Sequence, residues 1–313
     1  MPEIISVGEL IVDVMRMHVD EPLDEPGIFA GAFPSGAPAI FIDQCALLGH
    51  RTGFIGAVGN DDFGRMNLRR FQNHGVDTSY VSVVQEVSTG CAFVTYFSDG
   101  GRRFLFHIGN SAASHLPAPP PEWFEGCRWL HVCGSSLSAG ERMREGCYRA
   151  ARLAHEAGAR ISFDPNLRPE LLGGEAAVRE VCAPIMAIAA LALPSASEAE
   201  VLTATTSAED ACAALLERGV EVIALKRGAE GCTVITADEC VEVPGYPVEA
   251  VDPTGAGDCF DAGFVVGLSE GLTPLECGRL ANVCGAAAAT VRGPMEGSLP
   301  RAEAFARARL QTH

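Results

Sequence analysis

Residues 252–260 read DPTGAGDCF. Gly255 and Gly257 carry no side chain, so the backbone there can take positive φ and let a ligand come close. The apolar run Phe260 to Leu268 follows without proline and reads as a helix, which makes the loop a helix N-terminus. The first N–H groups of a helix lack internal partners, and the dipole there favours negative charge. Gly255, Ala256 and Gly257 are therefore a candidate anion hole. Asp258 falls in the first helical turn. It either complements the dipole, as first-turn acids do, or acts as a base beside a bound phosphate. The helix end would stabilise its carboxylate and make it a weak base. A weak base is enough for phosphoryl transfer to an alcohol, because a loose transition state needs little early deprotonation of the hydroxyl.

Other phosphate-binding patterns are absent. G-x-x-x-x-G-K-[ST] does not occur, Phe260 stands where a G-x-G-x-x-G needs its third glycine, and GAVGNDDFG at 56–64 fails too. A dinucleotide dehydrogenase is disfavoured. Of 23 basic residues the chain has one lysine, Lys226, at the end of VEVIALK and just before RGAEG. A strand end leading into a glycine turn is where open α/β sheets bind ligands. The plainer alternative is a solvated surface lysine.

The elements that must position these residues alternate along the chain. Strand-like runs at 3–8, 52–58, 127–134, 160–164 and 191–194 are interleaved with helical patterns at 37–50, 63–75 and about 140–157. This alternation predicts a parallel sheet with helices on both faces. Residues 91–108 break it, reading as two strands around Ser-Asp-Gly-Gly. Residues 11–33 are extended and rich in Pro and Gly. Together they suggest a small separate sheet or lid, against an edge hairpin of the main sheet. LPAPPPEW at 116–123 would lead back to the body.

At 313 residues and 48% apolar, the chain can bury a large core. A net charge of −17 argues against nucleic acid or an anionic membrane as partner. No apolar run is long enough for a membrane helix. The 12 cysteines are scattered without C-x-x-C, and no signal peptide is evident. Reduced, mostly buried thiols in a cytoplasmic protein are expected. The eight histidines form no metal-ligand pattern.

DPTGAGDCFDAGF at 252–264 resembles the C-terminal signature of the ribokinase-like, or PfkB, carbohydrate kinases. PSGAPAIFIDQCALLGHRTGFIGAVGNDDFG at 34–64 resembles their N-terminal signature. The order of elements and the length fit, so the resemblance covers nearly the whole chain. It implies one ribokinase-like kinase domain over 1–313: a three-layer α/β/α sandwich with a mostly parallel central sheet. A small β-sheet lid would come from about 11–33 and 88–110. It implies ATP and Mg²⁺, and in some members K⁺. Asp258 resembles the catalytic base, with the Gly255–Gly257 amides as anion hole. Asp13 in VGELIVD matches the acid that binds sugar hydroxyls, and Gly36 the glycine where backbone meets the sugar. Phe104 and Phe106 match lid aromatics at the substrate. PSASE at 194–198 stands where the family carries N-x-x-E. Glu198 is kept for the Mg²⁺ waters, but Ser195 replaces the asparagine. Lys226, Gly228 and Gly231 fall on the turn that holds nucleotide phosphates, where the lysine would be a point charge. Asn282 matches a position by the nucleotide base. Asp252 and RGPMEG at 292–297 match a monovalent-cation region. Lid-to-lid dimers occur in the family, so a homodimer is an expectation.

FDPNLRPELL at 163–172 carries D-x-N-x-R, as in the fructokinase and 2-keto-3-deoxygluconate kinase branch. Arg168 would meet substrate there, or be a surface arginine paired with Glu170 or Glu175. Acid-sugar kinases of that branch place a carboxylate-binding arginine before SAA; counting back in FLFHIGNSAAS, that position is Ile108. Arg102 or Arg103 could substitute. Ile40 stands where the family often has an asparagine that contacts the sugar. The expected acceptor is a neutral ketohexose, fructose or tagatose, with the acid sugar as alternative. A nucleoside kinase and a non-catalytic sugar-binding regulator rank below both.

Overall fold

The structure is a computed structural model and describes residues 1–311. Strand β1 (Ile4–Val7) is followed by β2 (Ile11–Arg16), β3 (Phe29–Ser35), β4 (Thr52–Gly59) and β5 (Asp77–Val84). Next come β6 (Gly90–Tyr96), β7 (Arg102–His107), β8 (Trp129–Cys133) and β9 (Arg160–Asp164). β10 (Ala189–Ala192), β11 (Val222–Lys226), β12 (Gly231–Thr236) and β13 (Cys240–Pro244) complete the set. One nine-stranded sheet runs β13-β12-β11-β10-β9-β8-β1-β4-β5. From β11 to β5 every pairing is parallel, and β12 and β13 are antiparallel at one edge.

The central strands are buried along their whole length, as in IISV of β1 and WLHVC of β8. Such runs suit a parallel sheet covered on both faces. One face packs against the helices Ala37–Leu47, Ala256–Glu270, Pro274–Ala288 and Arg301–Ala308 through Phe41, Phe264 and Phe305. The other packs against Glu141–Glu156, Glu175–Met186 and Ala208–Glu217 through Met143, Ile185 and Leu215. The result is the expected three-layer α/β/α arrangement.

The four strands β3-β2-β6-β7 form a second sheet. β2 pairs antiparallel with β3 and parallel with β6, and β6 pairs antiparallel with β7. The stretch at 91–108 is thus not an edge hairpin of the large sheet.

Three strands of the large sheet, β5, β12 and β13, have no counterpart in the sequence reading. β5 and β13 are half-exposed edge-region strands without a continuous apolar run, which removes the period-two signal. The helix after the anion-hole loop starts at Ala256, four residues earlier than the apolar run indicates. Elsewhere the local signals hold: the second helix spans Asp62–His74 and ends on Gly75 in the left-handed region at φ 79°. All 12 cysteines are unbridged; ten are buried, Cys91 is half-buried and Cys240 exposed. Among the described residues no helix is long and apolar enough to cross a membrane.

Candidate active site

Parallel strands deliver side chains to one edge of the sheet. Asp164 ends β9, Lys226 ends β11, Glu9 follows β1, and Glu198 follows β10. All four line one cleft. Asp13 of β2, Gly36 after β3, and Phe104 and Phe106 of β7 line it from the second sheet. Gly255, Gly257 and Asp258 enter from the start of helix Ala256–Glu270, and Arg168 from the turn after β9. Asp252, Ser195, Gly228, Gly231, Ala256 and Asn282 are not among the lining residues.

The anion-hole loop is fixed by backbone geometry. Gly255 is the N-cap at φ 82°, and a Cβ there would sit 2.1 Å from the Pro294 carbonyl oxygen. Only glycine fits both conditions. Ala256 and Gly257 are the first two helical residues, so their amides have no helical acceptor. Gly36 is equally constrained: φ is 110°, and a Cβ would meet the Glu9 carbonyl oxygen at 2.3 Å.

In β7 the side chains alternate. Phe104 and Phe106 face the cleft with rings 5.4 Å apart and 3° from parallel. Arg103, Leu105 and His107 are exposed on the other face. Of the two arginines proposed as substitutes for a carboxylate clamp, only Arg102 lines the cleft. Arg102 and Arg168 each stand 5.8 Å from the Phe104 ring centre. Arg168 also donates to the Leu167 carbonyl at 2.9 Å. Glu175 pairs with Arg179 instead, at 3.7 Å, and the Glu170 side chain lies outside the described residues. Ile40 lines the cleft as an apolar wall. Ile108 is buried and faces an adjoining cavity with Phe106, Leu171 and Arg168.

Lys226 differs from its sequence reading. It is neither a solvated lysine nor a free point charge. Its Nζ lies 3.0 Å from Asp164 Oδ1 and 3.2 Å from Asp261 Oδ1. Burial alone would lower its pKa, but Asp164, Asp261 and Glu198 outweigh that and hold it well above the usual lysine range. The ammonium remains close to the anion hole: a Cβ built on Gly257 lies 3.7 Å from Nζ.

Asp258 differs as well. The helix N-terminus predicts a stabilised carboxylate and a weak base. Burial instead pushes its pKa up to about 8; Asp164 adds repulsion, and Lys226 only partly opposes it. Desolvation of a nearly inaccessible carboxylate exceeds what a helix end supplies. Asp13 is pushed up to about 7, first by burial, against a hydrogen bond from Ser35.

Glu198 is held in its charged form. Burial would raise its pKa, but Lys226 and donors from Ser195 and Leu167 hold it below the usual value. Its Oε2 accepts from the Ser195 amide at 2.8 Å and hydroxyl at 2.7 Å, and its Oε1 from the Leu167 amide at 3.1 Å. Ser195 therefore caps the helix Ala196–Thr203 and turns towards Glu198, not the cleft. An ionised carboxylate at the cleft wall is donor chemistry that suits a hydrated Mg²⁺. Asp252 is tied to protein donors to the same extent. Its Oδ1 accepts from Tyr96 and Thr254, and its Oδ2 from Gly293.

Gly228 lies at φ 58° in the turn after β11, with open space where a Cβ would go. Gly231 is needed for packing, since a Cβ would sit 2.1 Å from the Val243 carbonyl oxygen. Asn282 donates to the carbonyls of Val243 and Pro244 at 3.3 and 3.0 Å, tying its helix to β13.

Two acids near the cleft lie outside the sequence reading, and only Glu9 lines it. Glu9 lines the cleft and accepts from Ser135 Oγ at 2.6 Å and from the Ser136 hydroxyl. Asp261 is fully buried beneath Lys226. Its signal was an acid inside the apolar run CFDAGFVV. Glu9 had only its closeness to Asp13.

This geometry agrees with the relatives of the chain. The pfkB family carbohydrate kinase pattern matches residues 1–302. A fructokinase of Escherichia coli is 35% identical over 297 residues, covering 92% of this chain and 94% of the relative. A solved structure of an Escherichia coli protein provisionally called ribokinase II, in complex with ATP and Mg²⁺, superposes with TM-score 0.91 at 38% identity, covering 99% of both chains. A Vibrio cholerae fructokinase bound to fructose, ADP and calcium gives TM-score 0.81 at 27% identity, covering 98% of this chain and 99% of that one. With the family pattern over nearly the whole chain and relatives above 30% identity, the chain belongs to the pfkB family of carbohydrate kinases, phosphotransferases that act on a sugar hydroxyl.

Proposed function

We propose that the protein transfers the γ-phosphoryl group of ATP to a hydroxyl of a neutral ketohexose of the fructose or tagatose type. The observation that carries the reading is the meeting of Asp258 and the Gly255–Gly257 turn with Asp13, Phe104 and Phe106 in one cleft. Asp13 and the Gly36 backbone would hold the sugar hydroxyls, and the paired phenyl rings would cover an apolar face of the sugar. Asp258 would accept the proton of the attacking hydroxyl as its oxygen bonds to phosphorus and the bond to the ADP oxygen breaks. The amides of Gly255, Ala256 and Gly257 would carry the developing negative charge. Lys226 adds a fixed positive charge behind Gly257. Glu198 would orient the waters of a bound Mg²⁺, which supplies charge neutralisation on the phosphates. K⁺ would sit beside Asp252, whose carboxylate also accepts from Tyr96, Thr254 and Gly293. Gly228, Gly231 and Asn282 would shape the nucleotide side from β11 to β13 without entering the cleft.

The second sheet, β2, β3, β6 and β7, would act as a lid on a single kinase domain. Leu105 of β7 and, in the connection between β2 and β3, Val19 and Ile28 are exposed, which supports a homodimer through the lid. A single elution volume matching one chain would count against that. The unbridged cysteines fit a reducing, cytoplasmic setting.

The acid-sugar reading keeps a specific observation. Arg102 and Arg168 both line the cleft, and two guanidiniums could hold a carboxylate. Against it, the Ile108 position is apolar, and Ile40 removes a polar contact. ADP release across fructose, tagatose, 2-keto-3-deoxygluconate, ribose and adenosine tests both. Strong turnover of a neutral ketohexose supports our reading. Preference for the acid sugar would transfer the carboxylate to Arg168 and Arg102.

A further inference from the structure

The second sheet and the anion-hole loop meet at one buried carboxylate. Asp252 is 1% exposed. Its Oδ1 accepts the Tyr96 hydroxyl at 2.9 Å and the Thr254 amide at 3.0 Å. Its Oδ2 accepts the Gly293 amide at 3.0 Å. Tyr96 is the last residue of β6, in the second sheet. Thr254 directly precedes Gly255, the N-cap. Gly293 precedes Pro294, whose carbonyl packs against the Gly255 backbone closely enough to exclude a Cβ. Three segments distant in sequence therefore join at one side chain, and two of them fix the position of Gly255.

Tyr96 is the member of this joint that comes from the acceptor side. A phenol has one proton to donate and lone pairs to accept with. With the proton directed to Asp252, the Tyr96 oxygen remains available to the Thr254 hydroxyl, 3.3 Å away. Arg102, on the neighbouring β7, reaches the same hydroxyl at 3.4 Å. A second tie lies alongside, where Arg292 Nη2 donates to the Met17 carbonyl at 3.3 Å. The sheet that carries Asp13, Phe104 and Phe106 is thus pinned to the loop that carries the anion-hole amides.

We infer that Tyr96 is a positioning residue. Through Asp252 and Thr254 it sets the Gly255–Gly257 amides when the second sheet lies over the cleft, coupling the seating of the acceptor to assembly of the anion hole. The inference rests on the kinase reading above for its kinetic consequence, but not for its structural one. A hydrogen bond of structural value only would lower stability and leave the chemical step alone.

Tyr96→Phe keeps the ring and removes the hydroxyl. With the best sugar of the panel, kcat should fall about tenfold or more, as for a misplaced transition-state donor, while KM for the sugar stays within about threefold. Thr254→Val should produce a similar loss, and the double variant should be little worse than either single one, because residues acting as one unit are not additive. Hydrogen exchange reads the same joint without turnover. The Thr254 amide, which donates to Asp252, and the Ala256 amide, which donates to the Pro253 carbonyl, should lose protection about tenfold in Tyr96→Phe, while those of helix Glu141–Glu156 do not change. Unaltered exchange at Thr254 and Ala256, or kcat within twofold of the parent, overturns the inference. Altered exchange in a protein that turns over none of the sugars upholds the joint and counts against the kinase reading instead.

Discussion

The molecule contains two buried ionic clusters, and they are built in opposite ways. Asp43 in the helix Ala37–Leu47 is fully buried and meets Arg70 Nε at 2.9 Å and His74 Nδ1 at 2.7 Å. Arg70 continues to Glu296 at 3.0 Å and to the Met295 carbonyl at 2.5 Å. Donors match acceptors, and the cluster ties three segments together. The second cluster gathers Asp164, Asp258, Asp261 and Glu198 around Lys226, with Arg168 a weaker positive influence on Asp258. Four acids share one ammonium. The first cluster is complete within the protein. The second is left short of positive charge at the cleft, and burial, reinforced by repulsion from Asp164, pushes Asp258 up to about 8. Perturbed carboxylates in a cleft mark a functional site more often than a structural one, and this contrast supplies the physical reason here.

The comparison is broken most directly by Asp258→Asn. Turnover should drop by about a thousandfold or more, on the scale of losing a general base together with its charge. Sugar binding by calorimetry should stay within a few-fold, and Tm should hold or rise, because a repelling acid has gone. Full activity in this variant would remove the proposed mechanism.

Lys226→Met should act on stability first. It strands Asp164 and Asp261 without a cation, a loss of about 3–5 kcal/mol for a broken buried pair, read by urea midpoint. ATP use should weaken in the folded fraction. A variant as stable as the parent would mean that Lys226 does not hold the two aspartates in place.

Asp43→Asn sharpens the other side. It should cost about 2–3 kcal/mol, since Arg70 keeps Glu296 and the Met295 carbonyl as partners. The folded protein should keep kcat within twofold. A specific loss of turnover there would erase the distinction between the clusters.

The smallest effect is on pH. Asp258 and Asp13 have folded pKa values near 8 and 7, above the ordinary carboxylate range. Raised acids keep more protons in the native state than in the unfolded chain, so stability falls as pH rises from about 4 to 8 and levels off above. Lys226 titrates above this window. Tm should therefore decline by a few degrees between pH 5 and 8, with a shallower slope in Asp258→Asn. As the proposed base, Asp258 should also make kcat/KM rise with pH through its own pKa. A flat Tm profile over this range would mean that burial does not hold these protons.

The fold was legible where signals are local. Glycine caps, apolar runs buried on both faces and the break at 91–108 all follow from residues a few positions apart. The half-exposed strands β5 and β13 were not legible, because an edge strand lacks the pattern that marks a buried one. The site divides in the same way. Gly255, Gly257 and Asp258 could be read as a helix N-terminus with an acid in its first turn, because that geometry depends only on neighbouring backbone. The binding state of Lys226, the proton affinity of Asp258, the place of Glu9 and the joint between Tyr96 and Asp252 could not. Each depends on burial or on partners far along the chain, such as Asp164 and Asp261 with Lys226. The sequence by itself determined which chemical groups stand beside the phosphate-binding turn. The tertiary structure alone decided how many charges crowd around them, since desolvation and Coulomb terms are properties of the packed neighbourhood and not of the local chain.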